Sequence, residues 1–152
     1  MFFTQQEIEN VLQKVIDLFL IPRFQELKMN ATGEWLQSLE IKAELDGGTI
    51  RGRAYSEQLA KGREPGKAPP IRNIERWVNA KLGISGKEAT SIAFAISKKI
   101  AKEGTSWYQK GGSDLIEVLE EKQTIEFVQN ELIAIAKVRI AEQLQRNALA
   151  VF

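Results

Sequence analysis

Apolar residues recur at intervals of three and four from the start of the chain. Ile8, Val11, Leu12, Val15, Ile16 and Phe19 share one face of a helix, and Thr4 with Glu7 supplies a capping box at its start. Pro22 withholds an N–H and breaks or kinks this helix, which is expected over 4–28 with a further turn or two after the proline. Asn30-Ala-Thr-Gly33 is a turn. The period then changes to two. In Ser38 to Leu45 the apolar Leu39, Ile41, Ala43 and Leu45 alternate with Glu40, Lys42 and Glu44, as a half-buried strand requires. Asp46-Gly47-Gly48 reads as the hairpin turn and Thr49 to Tyr55 as the returning strand. Ile50, Gly52 and Ala54 take one face of it. Arg51 and Arg53 take the other, across from Glu40 and Glu44. Two strands alone are marginal, so the hairpin must pack on helices or extend a partner's sheet.

After the hairpin comes the most densely punctuated stretch, Gly62-Arg-Glu-Pro-Gly-Lys-Ala-Pro-Pro70, which holds every proline except Pro22. Proline fixes φ and glycine permits φ > 0, so an extended, turn-rich connector is expected, ending in a prolyl helix start. Ile71, Ile74, Trp77, Val78 and Leu82 then form a helical stripe stopped by Gly83, with Trp77 expected in the core. Ser85 and Glu88 suggest a second capping box, opening a helix with Ala89, Ile92, Ala93, Ile96 and Ile100 on one face. Gly104 to Gly112 is a glycine-flanked loop carrying Trp107 and Tyr108, and Ser113 is expected to cap a short helix with Leu115, Ile116, Val118 and Leu119. The last pattern is the longest. From about Thr124 to Asn147 the clearest stripe is Ile125, Val128, Leu132, Ile135 and Val138, while Phe127, Ile133 and Ile140 lie off it, which points to burial on more than one side. The expected fold is α+β: a small antiparallel β-hairpin or sheet braced by about four to five α-helices. It is organised as a single domain over 1–152, with the first helix at 4–28, the hairpin and Pro/Gly loop at 36–70 and a helical part at 71–152.

Composition narrows the chemistry. The 152 residues include no cysteine and no histidine, which removes disulfides, thiol nucleophiles, Cys/His metal sites and imidazole acid–base catalysis. Lys and Arg number 21 against 20 Asp and Glu, so no global field steers the chain toward nucleic acid or a membrane. The N-terminal residues lack a basic segment before an apolar run, and no apolar stretch approaches the ~20 residues of a membrane span. Synthesis and folding in a cytoplasm are expected.

Gly62-Arg-Glu-Pro-Gly66-Lys67 has a superficial likeness to a phosphate-binding loop. The spacing is one residue short, Ala68 stands where a Ser or Thr would meet magnesium, and Pro65 removes a cradle N–H. No cofactor is expected. Between Arg51 and Arg76 lie seven basic and three acidic residues. This patch suits phosphates, an acidic partner or plain solvation. Asp114, Glu117, Glu120, Glu121 and Glu126 could form an acidic counterpart, and opposite patches on one subunit suit head-to-tail association. Adjacent carboxylates such as Glu120 and Glu121 point in different directions on a helix, so no enzymatic constellation emerges. Trp107 and Tyr108 fit either a contact surface or packing on their own core, and Trp35 fits either as well.

Three blocks in order carry a family likeness. They are Ala31-Thr-Gly33…Leu36…Ser38, then Ala54-Tyr55…Gly62-Arg-Glu-Pro-Gly66…Pro69-Pro70, then Ile74…Trp77-Val78 with Ala93-Phe94…Ile96…Ile100…Gly104-Thr105. This order, covering roughly residues 30 to 106, resembles the neck and tail-completion (head–tail joining) proteins of tailed bacteriophages. Trp35 after the Thr-Gly turn and Trp107-Tyr108 after Gly-Thr depart from the pattern. The resemblance implies a non-enzymatic structural subunit of the virion, assembled in the host cytoplasm as a homo-oligomeric ring between head and tail. Its partners would be further copies of itself and portal, adaptor or tail proteins, near genomic DNA and with no membrane. The residues expected at the subunit or partner interface are Arg51, Arg53, Tyr55, Arg63, Pro65, Lys67, Trp107 and Tyr108. The alternative from another class is a nucleic-acid-binding module using the basic patch 51–76.

Overall fold

A computed structural model describes residues 2–45, 47–53 and 56–150. The chain divides into two compact units, one drawn from 1–22, 40–51 and 116–152, the other from 23–39 and 52–115. Among the described residues the protein is mostly helical, with one two-stranded antiparallel sheet. The α+β reading therefore holds, with more helical segments than the four to five expected.

In the first unit, α1 (Gln5–Val15) starts at the capping box read from the sequence. Thr4 Oγ1 accepts from the Glu7 N–H at 3.2 Å and Glu7 Oε2 accepts from the Thr4 N–H at 2.7 Å. Ile8, Val11 and Val15 are buried on its inner face. Pro22 does not break the helix. A π-helical turn, Ile16–Leu20, precedes it, and the Ile21 N–H donates back to the Ile16 carbonyl before α2 (Ile21–Glu26) continues. A widened turn of this kind absorbs the missing proline N–H and keeps the ring off the preceding carbonyl.

Strands β1 (Glu40–Glu44) and β2 (Gly47–Arg51) pair with Ile41 opposite Ile50 and Glu40 opposite Arg51. Glu44 opposes Gly47, so Gly47 and Gly48 belong to the strand and not to the turn. Packing explains the shift. The sheet lies on α1, and a Cβ at Gly48 would fall 2.5 Å from Leu12 Cδ1 and 3.0 Å from Ile8 Cγ2, so glycine serves close approach here. The expected pairing of Arg53 with Glu44 is absent: Glu44 meets Lys42 at 3.0 Å, and Arg53 lies beyond the strand.

The unit closes with a 3₁₀ turn, Glu117–Glu120, and α8 (Lys122–Leu149). Buried Thr124 donates its hydroxyl to the Val118 carbonyl at 2.6 Å, fixing the turn to the helix start. Helix α8 runs antiparallel to the first helical stretch: Phe127 meets Phe19 (centroids 5.4 Å), Glu131 meets Lys14 (2.5 Å) and Arg139 meets Glu7 (2.5 Å).

The second unit contains α3 (Glu34–Gln37), α4 (Ser56–Lys61), α5 (Ile71–Leu82), α6 (Gly86–Glu103) and α7 (Ser106–Gln109). Helices α5 and α6 pack together, burying Val78, Ala89 and Ala93. Trp35 is 5% exposed, stacks on Phe24 at 5.1 Å and donates Nε1–H to Ser56 Oγ at 2.8 Å, so it belongs to the core. Ser97, also buried, donates to the Pro69 carbonyl at 2.9 Å and fixes the end of the Pro/Gly connector. Gly83 ends α5 at φ 68°, as expected.

Three local expectations change. Ser85 precedes α6 without a side-chain cap bond, Ser113 bonds the Ala60 carbonyl through both its N–H and its hydroxyl, and Trp77 is 41% exposed.

The Glu7 carboxyl is held below its ordinary value, first by the Thr4 N–H, with Arg139 acting in the same direction. A depressed carboxylate stabilises the fold above its unfolded-state value and loses that contribution as pH falls through the folded one. Urea midpoints of the wild type should therefore fall across the acid limb, below the ordinary carboxylate range. Those of Glu7→Gln should start lower and fall less over the same interval. Parallel curves for the two proteins would contradict this role of Glu7.

Candidate functional site

The Pro/Gly connector is seated through its backbone on the end of α6. The Arg63 N–H donates to Thr105 Oγ1 at 2.8 Å, the Thr105 N–H donates to the Arg63 carbonyl at 2.9 Å, and the Gly66 N–H reaches the Ala101 carbonyl at 2.8 Å. Gly62 makes the approach possible. At φ 83° it takes a left-handed conformation, and a Cβ there would lie 2.2 Å from the Tyr108 nitrogen. Pro65, Gly66 and Lys67 remain exposed at the tip, and the Arg63 guanidinium bonds the Lys67 carbonyl at 3.3 Å. Thr105 also accepts from the Tyr108 N–H at 3.3 Å, which turns the expected 104–112 loop into the short helix α7.

The other expected interface residues separate into groups. Arg51 sits exposed on β2 opposite Glu40. Arg53 lies 3.9 Å from Glu34, which Arg76 also approaches at 3.6 Å, so one carboxylate partly neutralises the basic patch. Tyr55 lies outside the described residues. Tyr108 is exposed on α7, while Trp107 is half-buried, with the Lys110 ammonium 5.5 Å from its ring centroid.

Trp107 and Trp77 together wall a cavity of about 520 Å³, whose apolar surface also includes Ile74, Ile96 and Ile100. Lys28, Lys81 and Lys99 edge it, and among the described residues no acidic side chain lines it. A neighbouring recess of about 460 Å³ brings Arg53, Arg63 and Arg76 toward Pro69 and Pro70. Among the described residues no group of three or more acidic side chains is placed to hold a metal ion, and no helix is long and apolar enough to cross a membrane.

Helix α8 supplies a further surface. Ile133, Ile140 and Leu144 share a face at spacings of seven and four, nearly opposite the face that carries Glu131 and Arg139 against α1. All three are exposed, at 49%, 49% and 65%. Residues 141–150 are exposed throughout, leaving ~14 Å of helix beyond Ile140 uncovered.

No family model matches the chain, and neither does any curated protein or solved structure. The surfaces must therefore be read from their own chemistry. Sequence periodicity places Ile133 and Ile140 off the main stripe and points to burial on a second side, but both are 49% exposed, so that expectation is corrected. Nothing in the α5 pattern separates Trp77 from the core, because a stripe does not tell how wide the covered strip will be.

Proposed function

We propose that the chain is a structural subunit of a tailed-phage virion, a component of a neck or tail-completion ring that joins head to tail. The observation that carries this reading is the uncovered outer stripe of α8. A helix apolar on two opposite faces, with one packed at home, is suited to lying against a further protein in an assembly. Two features support the same reading. The Gly62-Arg-Glu-Pro-Gly66 block and the Gly104-Thr105 block, far apart in sequence, bond to each other within one compact unit. Together they belong to the motif series that resembles the neck proteins. The exposed aromatic and aliphatic side chains Trp77, Phe94 and Leu82 add contact surface of the kind assemblies bury.

In this reading the outer face of α8 meets an adjoining portal, adaptor or tail protein, and the second unit meets neighbouring copies. No catalytic step is assigned. The nucleic-acid-binding alternative ranks behind because Glu34 sits between Arg53 and Arg76 and offsets the charge a phosphate backbone would need.

Deleting the gene from its phage tests the reading by electron microscopy. The expected result is filled heads and separate tails that fail to join. Replacing Leu144 by Asp should reproduce much of that defect while leaving the isolated fold intact, since the side chain is already in solvent. Normal joined particles after deletion would overturn the proposal.

A further inference from the structure

Resting on the ring reading, we propose that neighbouring copies associate head-to-tail, the acidic turn around Ile116 of one copy entering the Trp77–Trp107 cavity of the next. The two surfaces complement each other in charge and in apolar character. The cavity, about 520 Å³, has an apolar wall formed by Trp77, Trp107 and Ile96 and a rim of Lys28, Lys81 and Lys99. None of these three lysines has a carboxylate partner among the described residues. Apolar walls crowned by one sign of charge select an apolar knob flanked by the opposite sign.

The chain carries such a knob. Ile116 is 40% exposed and is followed by Glu117 and, one turn of 3₁₀ helix further on, by Glu120. Glu117 and Glu120 have no cation partner among the described residues, whereas Asp114 is bonded to Arg23 at 2.7 Å. Residues before and after Ile116 are anchored: Leu115 is fully buried, and Val118, two positions on, is 4% exposed. A turn anchored on both sides loses little conformational freedom when its exposed residue is covered.

Knob and cavity are unlike surfaces on one chain, so the contact is heterologous. Such contacts propagate in one direction and close into a ring when the rotation between copies permits. Like faces repel, lysine rim against lysine rim and acidic turn against acidic turn, which disfavours the two-fold alternative.

The test uses charge reversal and cross-linking in assembled particles. Lys99→Glu and Glu117→Lys each change an exposed side chain, so both variants should melt like the wild type. Each alone should lower incorporation into particles at least about tenfold, and the double exchange should restore it. The chain has no cysteine, so a Lys99→Cys, Glu117→Cys variant, with Lys81→Cys as an alternative rim position, should give a ladder of cross-linked copies on oxidation. Ile116→Ser should weaken the ladder while the variant still melts cooperatively as a folded protein. Normal incorporation of both single reversals, with no ladder from either rim position, would overturn this interface while a ring-like copy number left the ring reading intact. A single copy per particle would remove both.

Discussion

Replacing Trp35 by Ala lowers the unfolding free energy by about 3–5 kcal/mol, the range expected for truncating a large buried aromatic. The residue is 5% exposed, stacks on Phe24 and binds Ser56, so three contributions disappear together. Ring stacking and the hydrogen bond are separable. Trp35→Phe keeps an aromatic against Phe24 and loses the indole N–H, and should cost about 1–2 kcal/mol. Ser56 retains its bond to the Arg53 carbonyl in both variants, so no buried hydroxyl is orphaned. Denaturant unfolding followed by circular dichroism reads both changes. A loss below about 1 kcal/mol for the alanine variant would contradict the placement of Trp35 in the core of its unit.

Gly62→Ala is expected to cost about 2–5 kcal/mol, combining left-handed backbone strain with overpacking. Its added Cβ would lie 2.2 Å from the Tyr108 nitrogen and 2.9 Å from the Trp107 carbonyl carbon, both backbone atoms that cannot rotate away. Gly66→Ala is the informative control. Gly66 also has positive φ, at 132°, but nothing lies within 4 Å of its Cβ position, so only the backbone component remains. Melting temperatures should therefore rank wild type, Gly66→Ala, then Gly62→Ala. Equal losses at the two glycines would mean that the connector is not clamped against Thr105 and α7.

Much of the local structure was legible because it rests on near-neighbour chemistry. The Thr4–Glu7 capping box, the change of period at Ser38, the prolyl start of α5 and the Gly83 stop each involve residues a few positions apart. Features that depend on distant parts of the chain were not. Gly47 and Gly48 look like a turn in sequence, yet α1 lies too close to β2 at Gly48 for a side chain. Ser113 has the composition of a cap, but Ala60 takes both of its donors. Pro22 signals a break, and a single π turn let the helix pass it. Thr105 caps α7 where glycines on either side suggested an open loop.

The candidate site divides along the same line. The Pro/Gly connector stands out in sequence, but its backbone partners on Thr105 and Ala101 lie some forty residues away. In sequence Trp107 is one of two aromatics in a glycine-flanked segment. Its pairing with Trp77 across a lysine-edged cavity appears only once α5, α6 and α7 are folded together. The outer stripe of α8 was not legible: the off-stripe Ile133 and Ile140 suggest a second buried side, yet both are exposed among the described residues, because periodicity alone does not tell which apolar face finds a cover.

Quantitative mass spectrometry of phage particles purified from a culture that carries the gene tests the proposed virion assignment most directly. A ring subunit is expected in every particle at a small fixed copy number, equal from one preparation to the next and retained after high-salt washing. Absence from intact particles would contradict the assignment.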